Sequence, residues 1–480
     1  MAEILTPDIC VIGGGSGGLT VAAASAAFGV DVVLVEKGKM GGDCLNYGCV
    51  PSKALIAAGH AALNIRKSGR FGVSAGDPQI NFGKVQDHVN SVIEAIAPND
   101  SVERFEGLGV RVVEAAGFFR DKKTLIAGGV EIKARRFVIA TGSSASIPPI
   151  PGLEDVKFLT NETIFDQRRK PGHLVIIGGG PIGMELAQAY RHLGVKVTVL
   201  EAFSALSKDD PEHTKIVLDE VRKDGVDLRE GAKILRIEKK GEKGARIVLE
   251  NEDADGDEET IDATHLLVAT GRKPNIESLG LEEAGIAYEG RGITVSKSLR
   301  TSNRRVYAIG DVTGGLQFTH VAGYHAGLVI RSILFRMRAR ENRDIIPWVT
   351  FTTPELAHVG LSESVAAERF GIKNIRILRW PFSENDRAQA ERKTSGHIKI
   401  ITSKKGKILG AGIVGHNAGD LINMWSLAVS SGMNIKAMTG YVSPYPTFAE
   451  IGRRAAITYY STSLGNPWIK RALNLLKKLG

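Results

Sequence analysis

Cysteine is scarce in this 480-residue chain, which contains only Cys10, Cys44 and Cys49. So few cysteines exclude a framework of structural disulfides. Also missing is any apolar run near the roughly 20 residues that a bilayer-spanning helix needs. The first stretch, MAEILTPDICVIGGG, has no basic leader, so no secretory signal is expected. Together these shortages predict a cytoplasmic, reducing setting, where a disulfide forms as part of the chemistry. There is no arginine-rich arm and no basic–aromatic ladder, so nucleic acid is not an expected partner. The formal net charge of +9 is spread along the chain, as in a solvated basic surface that can also steer an anionic ligand.

Glycine, by contrast, is abundant at 56 residues, which points to many tight turns and close backbone approaches. The shares of hydrophobic residues, 43%, and charged residues, 24%, are those of a globular protein, and the length suggests about three domains. The first strand, Asp8–Ile12, runs into GGGSGG, where Gly13, Gly15 and Gly18 fit G-x-G-x-x-G. An alanine-rich helix follows, then a strand from Asp31 to Val35 that ends at Glu36, 18 residues beyond Gly18. Such glycines let a backbone approach a pyrophosphate at a helix N-terminus, and the acid receives a ribose diol. The same order recurs in the strand His173–Ile177, in Gly178, Gly180 and Gly183, and in a strand ending at Glu201, again 18 residues on.

Two such units predict two dinucleotides, with electrons passing between them. A carboxylate at Glu201 would repel a 2′-phosphate, so NADH is expected over NADPH. ATGSS (Ala140–Ser144) and ATGRKPN (Ala269–Asn275) each follow an apolar β-branched run, which sets Thr141, Gly142 and Gly271 at strand ends facing a cofactor. Asp311, at the end of the strand in TSNRRVYAIGDV, suits the hydroxyls of a polyol chain. The stretch Lys239–Asp262 reads as a solvated hairpin region.

The stretch GGDCLNYGCVPSKAL (Gly41–Leu55), beside these two units, resembles the redox-disulfide signature of the flavin-dependent pyridine nucleotide–disulfide oxidoreductases. That family includes dihydrolipoamide dehydrogenase, glutathione reductase and mercuric reductase, and the resemblance covers essentially the whole chain. FTHVAGYHAG, FTTPELAHVGLSE and SENDRAQAERKTSGHIKI are most similar to the mercuric reductase-like branch. The resemblance implies an α/β fold with two Rossmann-like domains, the second inserted in the first, and a C-terminal α+β dimerisation domain. The implied bounds are 1–148 with 272–345 for FAD, 149–271 for NAD, and 346–480 for the homodimer interface. It also implies that Cys49 faces the flavin, that Cys44 exchanges with the acceptor, and that Lys53 pairs with Glu185 beside the flavin ring. Lys37, Gly42, Gly117 and Thr319 complete the implied FAD set. Pro181 stands where glutathione reductase-like members carry a tyrosine over the flavin.

The residues themselves fit redox chemistry. Two cysteines cannot fill a tetrahedral zinc shell and no histidine lies at ligand spacing, so no metal site is expected. Pro51 suits the first turn of a helix, whose dipole favours a thiolate. Such a pair passes electrons on by thiol–disulfide exchange. Cys10, in an inward strand, reads as a small core hydrophobe.

Near the C-terminus the chain departs from the lipoamide and glutathione members. In SPYPTFAE, Tyr445 replaces the histidine that serves as acid–base partner there, while Glu450 is kept. A tyrosine is a poor proton acceptor at neutral pH. The C-terminal cysteine pair of mercuric reductases is also missing. The expected activity is therefore an NADH-linked flavoprotein reductase of a small disulfide, a thiophilic metal ion or a related acceptor. Dihydrolipoamide dehydrogenase is the alternative, and a redox-sensing flavoprotein is a second one. Finally, the tail NPWIKRALNLLKKLG reads as a basic amphipathic helix, with Trp468, Ile469, Ala472, Leu473, Leu476 and Leu479 on one face. It is expected to pack on its own domain or the partner, with peripheral membrane contact as the minority reading.

Overall fold

The structure, a computed structural model, describes residues 3–242, 244–251, 257–461 and 467–478. Leu479 and the middle of the 239–262 stretch lie outside them. The chain forms two compact bodies, one of residues 1–202 with 227–341 and one of residues 203–226 with 342–480.

The first body holds two parallel sheets. One has the strand order Val306–Ala308, Arg136–Ile139, Ile9–Ile12, Val32–Glu36, Val110–Glu114. The other has Phe158–Leu159, His265–Val268, His173–Ile177, Lys196–Glu201, Asp227–Glu230. Every residue of Ile9–Ile12 and of His173–Ile177 is buried, the continuous apolar pattern of a strand covered on both faces. Cys10 is fully buried in this core, as its strand position predicts. In each sheet the glycine turn follows the buried strand, at its carboxyl end. The helix Ser16–Ala27 follows the first turn and packs on Thr319–Leu334. The helix Pro181–His192 follows the second turn and packs on Cys49–Lys67. That crossing is close because Gly59 has no side chain, since a Cβ there would lie 3.2 Å from the Ala189 carbonyl oxygen. The strands Ile234–Lys240, Gly244–Glu250 and Glu258–Ala263 form an antiparallel sheet, so the expected hairpin region is one.

The second body is built on an antiparallel sheet ordered Trp348–Thr350, Glu355–Gly360, Ile408–Gly415, His397–Ser403, Ile375–Pro381. The helices Ala418–Ser430 and Glu450–Ile457 pack on it, burying Trp425, Ile422, Ile451 and Ala455. The helix Pro211–Lys223, capped by the Asp210 side chain and started by Pro211, also packs on its strands. Between helix and sheet lies a polar cluster around Lys399, which is 4% exposed. Its ammonium meets Asp210, Glu212 and Glu363, each at 2.8 Å. Arg379 pairs with Glu212 and Glu363, and the rings of His213 and His397 lie 4.7 Å apart. Gly412 makes room for this cluster, because a Cβ there would come within 2.5 Å of the His213 ring.

Candidate redox site

The first turn is shaped by close approach. Gly13 has φ +113°, and a Cβ on it would meet the Ala140 carbonyl oxygen at 2.3 Å. A Cβ on Gly18 would lie 1.9 Å from the Gly13 oxygen, so glycine is what allows the helix to start here. The N-terminus of that helix, after Gly15, has no side-chain cap, which leaves its N–H groups to an anion. Glu36 accepts from the Gly14 N–H and, at 2.6 Å, from the Gly38 N–H. Lys37 is exposed in the turn that follows, and Gly117 packs beside Val35.

Gly41 and Gly42, at φ +85° and +60°, fold the next segment back over this turn, with the Gly41 N–H donating to the Gly14 carbonyl at 2.9 Å. The cysteines are thereby brought to the dinucleotide turn. Cys44 lies in the short helix Gly42–Asn46, and Cys49 is the first residue of Cys49–Lys67. Both are free thiols. The Thr319 hydroxyl is 3.5 Å from the Cys49 sulfur. One turn further on, Lys53 donates to the buried carboxylate of Glu185 at 2.7 Å. This bond links the cysteine helix to the helix of the second turn.

The two thiols are unequal. A hydrogen bond from the Cys44 thiol stabilises the Cys49 thiolate most. Burial opposes it, and Thr319 and Lys53 assist, so its pKa falls to about 6. Cys44, which donates that bond and is partly buried, holds its proton well above the usual thiol range. At neutral pH the pair is one thiolate and one thiol, with the charge at the helix N-terminus, where the dipole favours it.

A second group around the cysteines was missed in the sequence. Asp43 accepts from Asn161 at 2.9 Å and pairs with Arg272 at 3.2 Å. Its other oxygen sits under Gly48, where a Cβ would approach it to 2.9 Å. Arg272 also donates to the Ser143 hydroxyl and carbonyl, and Ser143 donates to Asp311 at 2.6 Å. Burial raises the Asp311 pKa, with Ser143 opposing. The signals were present, Asp43 inside the cysteine stretch and Arg272 inside ATGRKPN, but no local rule connects them. Thr141 and Gly142 lie beside this group, tied to Asn275.

The second turn repeats the first. Gly178 has φ +112° and backs onto the Ala269 carbonyl, and a Cβ on Gly183 would lie 2.0 Å from the Gly178 oxygen. Glu201 accepts from the Gly179 N–H at 2.6 Å. Gly180 and Gly271 face open space, with no heavy atom within 4 Å of an added Cβ. Pro181 is the first helical residue. Uncapped helix N-termini, side-chain-free turns and a carboxylate at the next strand end fit a dinucleotide at both turns. Tyr445 and Glu450 belong to the second body. The Tyr445 hydroxyl is exposed and donates to Asp386 at 3.0 Å, which raises its pKa, and Glu450 opens the helix Glu450–Ile457. Among the described residues no group of three or more His, Cys, Asp or Glu is placed to hold a metal ion.

Residues 7–326 match the profile of the pyridine nucleotide-disulphide oxidoreductases, and residues 346–456 match that family's dimerisation domain. The chain belongs to this family. As a pyridine nucleotide-disulphide oxidoreductase it is an FAD- and NAD(P)-dependent flavoprotein and a homodimer through its C-terminal domain. It is 34% identical to a mercuric reductase of Bacillus cereus, over 94% of this chain and 71% of that one. To a dihydrolipoyl dehydrogenase of Staphylococcus aureus it is 36% identical, over 94% and 96%. The solved copper(II) complex of RclA, an HOCl-induced flavoprotein disulfide reductase from Escherichia coli, superposes with a TM-score of 0.81 at 28% identity. That match covers 93% of this chain and 98% of RclA.

Proposed function

We propose that this oxidoreductase carries electrons from NADH to a small disulfide or a thiophilic metal ion through the Cys44–Cys49 pair. The observation that supports this most is the polarised thiol–thiolate pair, set at the first dinucleotide turn and one helical turn from the Lys53–Glu185 bond. FAD would be held by Gly13, Gly15, Gly18, Glu36, Lys37, Gly42, Lys53, Gly117, Thr141, Gly142, Asp311 and Thr319. NAD would be held by Gly178, Gly180, Gly183, Glu201 and Gly271. FAD bound there would supply two-electron chemistry between the nicotinamide and the cysteine disulfide. Glu201, already committed to a backbone N–H at the ribose position, disfavours a 2′-phosphate and so favours NADH.

The protons are handled within the pair. Cys44 gives its proton to the Cys49 thiolate, and its sulfur attacks one sulfur of the acceptor disulfide. That bond breaks and the first product leaves as a thiolate, which takes the proton from Cys49. The Cys49 thiolate then attacks the Cys44 sulfur, breaking the mixed disulfide. The second product thiolate leaves and the Cys44–Cys49 disulfide is restored. Tyr445, whose hydroxyl holds its proton more tightly than a free phenol, is not suited to serve as the acceptor's base.

Dihydrolipoamide dehydrogenase is the second reading, favoured by the identity with the Staphylococcus aureus enzyme and by Glu450. Steady-state turnover of NADH with lipoamide, glutathione disulfide, mercuric ion and cupric ion separates the two. Rapid turnover with lipoamide alone replaces the first reading with the second. Feeble turnover with every acceptor rejects both and favours a redox sensor.

A further inference from the structure

The dimerisation profile ends at residue 456, and the chain continues to a helix at Pro467–Leu476. From Pro467 to Lys478 there is no acidic residue, and Lys470, Arg471, Lys477 and Lys478 supply the charge. At about 100° per residue these four share one side of the helix. Trp468, Ile469, Leu473, Leu475 and Leu476 share the other. Every one of these apolar residues is exposed, Trp468 at 73% and Leu475 at 63%. The Arg471 guanidinium lies 5.2 Å from the Trp468 ring centroid. The expected packing of this face on its own domain is therefore not what the structure shows.

A stripe of four large aliphatic side chains and a tryptophan calls for an apolar occupant. Nucleic acid would satisfy the cations and leave the leucines in water. A second copy could cover the apolar stripe but would leave all eight cations without an anionic partner, and the family's dimerisation profile ends before the tail begins. A bilayer with anionic headgroups satisfies both faces, with cations at the phosphates, leucines at the acyl boundary and Trp468 at the interface. Ten residues of helix span about 15 Å, half the roughly 30 Å of hydrocarbon, so the helix lies in the surface plane. No helix among the described residues is long and apolar enough to cross a membrane. We propose that Pro467–Lys478 is an interfacial anchor that docks the dimer on anionic membrane. The dimer carries two such tails, and a modest affinity per tail is compounded by the second.

The test is co-sedimentation of the full-length holoenzyme with phosphatidylcholine vesicles made with or without phosphatidylglycerol, at low and high salt. Binding is expected only to the anionic vesicles, to weaken with salt, and to vanish in a chain ending at Ser461. Each of Lys470→Gln and Lys477→Gln should lower partitioning about fivefold. Leu473→Ser, which keeps all four charges, should lower it as well. All variants should remain dimeric by light scattering and keep NADH-dependent turnover. The anchor is overturned if full-length protein stays in the supernatant, or if the Ser461-terminated chain binds equally well. It is also overturned if that shortened chain is monomeric, which would give the tail to the subunit interface.

Discussion

Gly13 and Gly178 do the same work in the two dinucleotide turns. Each sits at positive φ against the carbonyl of a return strand, Ala140 or Ala269, and each faces a later glycine, Gly18 or Gly183, that seats the helix. Each turn also has a glutamate bonded to its own second glycine, Glu36 to Gly14 and Glu201 to Gly179. The turns differ in what lies over them. Gly41 and Gly42 lay the cysteine segment across the first, whereas Gly180 of the second faces open space. The same local geometry thus yields one turn covered by the cysteine segment and one whose middle motif glycine faces open space. The difference comes from two glycines outside either motif.

The largest effect should separate the glycines by role. Gly18→Ala and Gly183→Ala force a Cβ to within about 2 Å of a backbone oxygen, an overpacking that costs on the order of 3 kcal/mol. Both should lower the thermal midpoint by several degrees, or fail to fold. Gly180→Ala meets no protein atom, so it should leave the apo midpoint unchanged and raise the KM for NADH. If Gly180→Ala destabilises the protein as Gly183→Ala does, the space beside Gly180 is not open in solution.

The bond between the turns comes next. Lys53→Met removes the partner of the buried Glu185. Because Lys53 is more than a third exposed, the stability loss should be only about 1 kcal/mol. With FAD at the site proposed above, its reduction by NADH should be about tenfold to hundredfold slower in stopped flow. An unchanged rate would confine the pair to a structural role.

On the proposed reading, coenzyme choice belongs to the second turn alone. Glu201→Arg should shift the NADH-to-NADPH ratio of kcat/KM by about 1–3 kcal/mol, while the equivalent change at Glu36 should instead weaken flavin retention. The smallest effect concerns the covering segment. As pH falls through about 6, the Cys49 thiolate should be lost and the alkylation rate of the reduced enzyme should drop. Cys44→Ala, which removes the strongest support of that thiolate, should move the midpoint upward. A profile that ignores Cys44 would mean that the helix terminus and Lys53 suffice.

Both turns were legible in the sequence because their rules are local. A short buried strand, glycines at fixed offsets and an acid 18 residues on each have one structural meaning. The pairing of Lys53 with Glu185 was reachable only through family resemblance, since nothing in residues 53 and 185 themselves announces a bond. The Asp43–Asn161–Arg272 group was not legible, because its members come from three distant segments that only the folded sheet order brings together. Nor was the partner of the helix Pro211–Lys223. Its pattern shows that one face is buried, and the C-terminal strands it packs on lie more than a hundred residues later.

The Lys399 cluster beneath that helix gives the second body a proton-linked limit on its stability. Burial and the neighbouring His397 depress the His213 pKa from 6.5 to about 3. Both His213 ring nitrogens lack a hydrogen-bond partner, so a proton gained there is held only by the nearby charges of Asp210 and Glu212. Burial works against the charge of Glu212, but Arg379 and Lys399 outweigh it and hold its pKa at about 2. Both groups are depressed on folding, so the unfolded chain takes up protons that the folded one refuses. The stability they provide is whole above about 6.5. It declines first as the histidine sites of the unfolded chain fill, and again below about 4.5 as its carboxylates fill. Denaturant midpoints should therefore fall between about pH 7 and pH 5.5, a range too high for carboxylates alone to account for. An oxidoreductase built this way meets acid as a folding problem in its second body over the same pH range in which its cysteine pair loses its charge.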